Sequence, residues 1–230
     1  ADIVSTTYTV TVPDQPVKGR ITVEKTNSNP AMGDYSLAGA KFGVYNSSGT
    51  LVTTITTGSD GKGTTANLPL GTYTIRETGA PHGFVLSAES RSATLSYAGQ
   101  TVPIVYASAS IPNKPQEGTI TITKVDAETG ANPQGDASLY GARYAIRDSS
   151  GNTVDTLPAL GTRVVTSKNL PLGNYNIIET EAPEGYLLNA MSYPVTLSYA
   201  GQNVDVTNVA QTVTDTVKKG KIRIVKFGAR

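Results

Sequence analysis

Apolar and polar residues alternate along most of this chain in short runs, and glycine, proline, asparagine and aspartate break the runs apart. Strict alternation puts every second side chain on one face of an extended backbone, so each run reads as a half-buried strand. Through the first half of the chain the pattern predicts strands near 19–26, 40–46, 50–56, 63–67, 72–78, 84–87, 92–97 and 101–111. Turn signals at Ser47-Ser48-Gly49, Asp60-Gly61-Lys62-Gly63 and Pro69-Leu70-Gly71 separate them. Short strands at such even spacing predict an all-β sandwich. One polar residue sits in the wrong phase. Ile21, Val23 and Lys25 share a face, as do Ile120, Ile122 and Lys124, and Ile222, Ile224 and Lys226. Each lysine is predicted to point into a core, where a lone ammonium needs either a partner or a chemical fate that removes its charge.

The three lysines recur at intervals of 99 (124 minus 25) and 102 (226 minus 124) positions, a period the size of a domain. Other phrases keep the same period. Gly39-Ala40-Lys41-Phe42 returns as Gly141-Ala142-Arg143-Tyr144, Asn67-Leu68-Pro69-Leu70-Gly71 as Asn169-Leu170-Pro171-Leu172-Gly173, and Leu95-Ser96-Tyr97-Ala98-Gly99-Gln100 as Leu197-Ser198-Tyr199-Ala200-Gly201-Gln202. Two duplicated sandwiches are expected, at 19–117 and 118–218. Residues 1–18 read as the closing strand of a preceding repeat and 219–230 as the opening strand of a following one. The junction Asn113-Lys114-Pro115-Gln116-Glu117-Gly118 lacks the Gly/Ser tract of a flexible tether, which predicts a semi-rigid head-to-tail arrangement.

Eleven positions before each strand lysine stands an aspartate or asparagine: Asp14 before Lys25, Asn113 before Lys124 and Asp215 before Lys226. Phase turns them inward, Asp14 with Tyr8, Val10 and Val12, Asn113 with Ile111, and Asp215 with Val213. A third inward polar group accompanies them, since Glu77 shares a face with Tyr73 and Ile75, and Glu179 with Tyr175 and Ile177. Each complete repeat therefore carries an inward lysine, glutamate and asparagine or aspartate.

Glu77-Thr78-Gly79-Ala80-Pro81-His82-Gly83-Phe84 and Glu179-Thr180-Glu181-Ala182-Pro183-Glu184-Gly185-Tyr186 resemble the E-T-x-A-P-x-G-Y signature of Cna B-type domains of Gram-positive surface adhesins and pilins. With the opening lysine and closing Asn or Asp, the resemblance covers nearly all of 19–218. It implies two tandem immunoglobulin-like, prealbumin-like β-sandwiches of reversed immunoglobulin topology. It also implies an intramolecular isopeptide bond in each, Lys25 to Asn113 with Glu77 as the catalytic group, and Lys124 to Asp215 with Glu179. Asp14 and Lys226 would belong to truncated neighbouring sites. Phe84 departs from the signature tyrosine and removes an accessory hydrogen bond. The chemistry is intelligible on its own terms, because a dry site favours a neutral amine as nucleophile beside a protonated glutamic acid that can shuttle protons. Such a domain acts on itself once and is not an enzyme that turns over.

The remaining composition narrows the picture. Cysteine is absent, which removes disulfides, zinc-thiolate sites and thiol catalysis. A formal net charge of +1 without a block of like charges favours neither nucleic acid nor an anionic membrane, and no apolar run approaches bilayer length. The opening residues lack the basic and apolar regions of a signal peptide, so address signals are expected outside this segment. His82, the single histidine, has no companion for a triad, and the carboxylates at 60–63 and 126–130 read as turn chemistry; no metal or cofactor is expected. Tyr73, Tyr97, Tyr175 and Tyr199 fall at equivalent repeat positions and are expected to pack within each sandwich. The expected role is a stalk or shaft module of a cell-surface adhesin or pilin. Its partners would be neighbouring repeats of the same polypeptide, with any host protein or glycan held by a tip domain outside this segment. A wall-anchored, extracellular location is implied by the resemblance alone. The alternative is an adhesin module that grips such a ligand through loops 27–38 and 127–139.

Overall fold

The computed structural model describes residues 7–159 and 161–228. It contains strands and one 3-10 turn at Pro30–Met32 but no α-helix among the described residues, and none of its helices is long and apolar enough to cross a membrane. The chain divides into two compact units. Of the described residues, the first comprises 7–26, 37–81 and 87–112, and the second 27–36, 82–86, 113–159 and 161–228.

The first unit is built on β1 (Lys18–Asn27), β2 (Lys41–Tyr45), β3 (Leu51–Thr56), β4 (Lys62–Thr64), β5 (Leu68–Pro69), β6 (Gly71–Gly79), β7 (Ser90–Leu95) and β8 (Ile104–Asn113). One sheet has β1 at its centre, flanked by β4 and β5 and paired with β8; the other runs β3-β2-β6-β7. Ile21, Val23, Phe42, Val44, Ile75 and Ile111 meet between them, all fully buried. The second unit repeats the arrangement with β9 (Glu117–Asp126), β10 (Arg143–Asp148), β11 (Thr153–Pro158), β12 (Val164–Thr166), β13 (Leu170–Pro171), β14 (Gly173–Glu181), β15 (Ser192–Leu197) and β16 (Val206–Asp215). Here β9 is flanked by β12 and β13, the second sheet runs β11-β10-β14-β15, and Ile120, Ile122, Ile146, Ile177 and Val213 fill the core. The closing strand β16 lies parallel to the opening strand β9, with Val213 opposite Lys124 and Asp215 opposite Asp126. Distant ends of the chain segment thus run side by side, the placement a covalent tie between them requires.

Local chemistry closes the hairpins. The Asn46 side chain accepts the amides of Ser48 and Thr50, and Asp148 accepts those of Ser150 and Asn152, so each β2–β3-type turn is held by one side chain bonding its own backbone.

Several expectations are corrected. Residues 84–87 form no strand, only a single bridge from Phe84 to Pro115, and the two-residue strands at Leu68–Pro69 and Leu170–Pro171 were not foreseen. Residues 7–17 and 218–228 are not strands either. Tyr8, Val10 and Val12 are exposed, as are Ile222 and Ile224, and so are Asp14 and Lys226. Their alternation is intact, but a strand needs a neighbour to take its backbone hydrogen bonds and cover its apolar face, and here only the ends nearest the sandwiches are engaged, Val17 against the first core and the Lys218 amide on the Gly185 carbonyl. Residues 1–6 and 229–230 of the expected flanking strands lie outside the described residues. Tyr73 and Tyr175 are buried, each hydroxyl donating to a proline carbonyl (Pro69 and Pro171), whereas Tyr97 is 59% exposed and Tyr199 half-buried, because both stand beyond the ends of β7 and β15, where the facing sheet no longer covers them.

Candidate functional site

Lys25 follows Ile21 and Val23 on the inward face of β1 and is 1% exposed. Its Nζ donates to the carbonyl of Ile111 at 2.8 Å, lies 3.2 Å from Glu77 Oε1, and stands 5.7 Å from the centre of the Phe42 ring. Glu77 reaches it from β6, where it pairs across the strands with Phe42, and its other oxygen accepts the amide of Ser87 at 2.7 Å. Asn113, two residues beyond Ile111, ends β8 and is 1% exposed. Burial pulls the Lys25 ammonium down to about 8 from its ordinary 10.5, an effect the charge and hydrogen bond of Glu77 only partly offset. A substantial fraction of this amine is therefore neutral near physiological pH.

The second unit assembles the same groups more tightly. Lys124 is fully buried, with Glu179 Oε1 at 2.7 Å and Asp215 Oδ1 in direct contact. Glu179 Oε2 accepts the amide of Asn189 at 3.0 Å, as Glu77 does that of Ser87. Burial raises the Glu179 carboxyl above the usual range and the nearby Asp215 charge adds to this, while Lys124 and the Asn189 amide pull the other way. The structure thus brings Lys124, Glu179 and Asp215 into one water-excluded cluster, and Lys25 and Glu77 into another beside the strand that ends in Asn113. Asp14 and Lys226 join no such cluster.

Asp126 makes the turn contacts expected of the 126–130 carboxylates, but sequence reasoning missed that it is buried in a third layer. Asp126, two positions past Lys124 and in the same inward phase, is 2% exposed. It accepts hydrogen bonds from the amides of Glu128 and Thr129, from Gln134 Nε2 and from the Tyr186 hydroxyl at 2.8 Å. Burial alone would raise its carboxyl, but those donors hold it well below the ordinary value. This is the accessory bond that Phe84 cannot make. In the 27–36 and 82–86 segments, Tyr35 packs edge-on against Phe84 with ring centres 5.7 Å apart, and its hydroxyl accepts the amide of Leu172. Gly83 and Gly185 turn at φ +92 and +85; a Cβ on Gly83 would meet the Tyr35 ring at 2.5 Å and one on Gly185 would meet Ala137 at 2.6 Å, so the signature glycine serves both the turn and the close packing. The inward phase of Asp126 was the available signal. His82 is exposed, its ring 4.4 Å from that of Tyr199.

A family model of the SpaA prealbumin-like fold domain matches residues 19–108 and again 118–212. The chain belongs to this family. Among curated proteins, the trypsin-resistant surface T6 protein of Streptococcus pyogenes serotype M6 is 36% identical over 83 residues, which is 36% of this chain and 16% of that protein. Among solved structures, the Bacillus anthracis TIE protein is 27% identical with a TM-score of 0.60, covering 86% of this chain and 34% of that one. The C-terminal fragment of the pilus adhesin SpaC from Lactobacillus rhamnosus GG is 16% identical with a TM-score of 0.47, over 88% of this chain and 99% of that one, too slight a likeness to carry an argument. The chain spans about a sixth of the T6 protein and a third of the TIE protein.

Proposed function

We propose that this SpaA-family chain is a pair of structural modules from a surface protein of a Gram-positive bacterium, acting as stalk or shaft, in which Lys25 is joined to Asn113 and Lys124 to Asp215 by amide bonds that each domain forms for itself. The observation that carries this reading is the fully buried contact of Lys124 with both Glu179 and Asp215. An ion triad enclosed in that way is seldom an efficient source of stability, since apolar residues of like volume do as well or better. A reaction that consumes both charges gives the cluster a reason to exist. The neutral Lys25 amine adds to Cγ of Asn113, a C–N bond forms, and Glu77 passes the ammonium proton to the departing ammonia. In the second domain the Lys124 amine adds to the Asp215 carboxylic acid and water departs, with Glu179 carrying the proton. Membership of the family and the likeness to a streptococcal surface protein support the surface role.

The test is the intact mass of the denatured chain. One missing ammonia and one missing water, each restored by Lys25→Ala and Lys124→Ala respectively, would establish the two bonds. A mass equal to that of the sequence would refute them and leave two ordinary sandwiches.

A further inference from the structure

The two clusters differ at one wall. Tyr144 on β10 stands where the first repeat has Phe42, and each pairs across the strands with its domain's glutamate, Tyr144 with Glu179 and Phe42 with Glu77. Tyr144 is 1% exposed and its hydroxyl has no hydrogen-bond partner among the described residues. A buried hydroxyl left without a partner is destabilising, and the first repeat shows that the ring site is filled as well by phenylalanine. Packing therefore does not explain the oxygen. Asp215 is likewise buried: its Oδ1 touches the Lys124 ammonium, while its Oδ2 meets no hydrogen-bond donor among the described residues. Burial and the charges of Glu179, Asp215 and Tyr193 all act to keep the Tyr144 hydroxyl protonated. One unused donor, on the strand paired with Glu179, and one unused acceptor, Asp215 Oδ2, are thus buried in the same domain.

We propose that Tyr144 is the oxyanion donor of the second domain: its hydroxyl hydrogen-bonds the Asp215 oxygen on which negative charge collects as Lys124 Nζ adds to Cγ. The inference rests on the cross-link reading above. The neutral amine and the carboxylic acid form a tetrahedral intermediate whose oxyanion Tyr144 holds. Glu179 takes a proton from the new ammonium and delivers it to the other oxygen, the C–O bond breaks, one water leaves, and the tyrosine keeps its own proton throughout. A hydroxyl without a ground-state partner suits this role, because its bond strengthens only where charge develops.

The experiment follows both bonds in one molecule. The full chain is translated in a cell-free system, captured in denaturant before folding, refolded by dilution and quenched at intervals, and the two cross-linked peptides are quantified by mass. Tyr144→Phe is expected to slow water loss at Lys124–Asp215 about 100-fold, the scale of losing one oxyanion donor, while ammonia loss at Lys25–Asn113 keeps its rate. Once fully reacted, the variant is expected to melt at or above the parent, since it loses an unsatisfied hydroxyl and no contact. Equal rates for parent and variant at the second site would overturn the inference while the cross-link reading stands. Equal slowing at both sites, or a lowered melting temperature, would assign the tyrosine to folding and overturn it too. A parent that never loses water would remove the reading and the inference together.

Discussion

Replacing Lys25 by Met together with Glu77 by Leu separates a covalent tie from a buried ion pair, because the two readings predict opposite signs. Both side chains are fully buried and 3.2 Å apart. If they are merely an ion pair, exchanging both for apolar groups of similar volume is expected to be neutral or stabilising by 1–4 kcal/mol, to order of magnitude. If Lys25 is bonded to Asn113, the exchange also opens a loop of 88 positions (113 minus 25). Loop-closure entropy for a cross-link of that size is worth about 4–5 kcal/mol. The Ser87 amide, which gives Glu77 Oε2 a 2.7 Å hydrogen bond, loses its acceptor, which costs about 1 kcal/mol more. At about 4–8 °C per kcal/mol for a domain of this size, the first unit is expected to melt roughly 20–40 °C lower. Differential scanning calorimetry reads this directly, with the unaltered second unit as an internal reference in the same molecule and intact mass confirming that only the ammonia deficit has gone. A first transition that stays within about 5 °C of the parent, or moves upward, would refute the tie and the entropy argument built on it.

Three further outcomes are expected. The rate of ammonia loss during refolding should climb about tenfold per pH unit and level off above pH 8, since the neutral fraction of the reacting amine grows with pH up to its depressed pKa of about 8 and then saturates; a rate still climbing steeply at pH 10 would contradict the burial argument. Under force, the parent's first domain should release no length between Lys25 and Asn113, whereas the Lys25→Met/Glu77→Leu chain should release roughly 300 Å for those 88 positions, a difference single-molecule extension resolves. Tyr186→Phe removes the hydroxyl that bonds buried Asp126 and is expected to lower the second unit's melting temperature by roughly 5–10 °C while leaving the second mass deficit intact.

The inward direction of Lys25, Lys124, Glu77 and Glu179 was legible because period-two alternation is a local property that each strand carries in its own residues. Whether an alternating segment becomes a strand is not local. Ile120 and Ile122 are fully buried, whereas Ile222 and Ile224, in the same phase of the same motif, are 93% and 89% exposed; only the first pair has strands on both sides and a sheet above it. The layer around the lysines was hidden for the same reason. That Ser87 and Asn189 would turn their amides on the two glutamates, or that Asp126 would gather the 127–139 loop, depends on how non-repeating loops return to the sheet ends. Tyr144 is the instructive case. Its alignment with Phe42 was visible as a ring for a ring, but the added oxygen draws notice only when its hydroxyl is found buried without a partner among the described residues, on a strand paired with Glu179 in the domain that ends in an acid, while the phenylalanine stands in the domain that ends in an amide. The two repeats thus share a scaffold set by hydrophobic phase and differ at the ring beside the glutamate and at the closing residue, Phe42 with Asn113 in one and Tyr144 with Asp215 in the other.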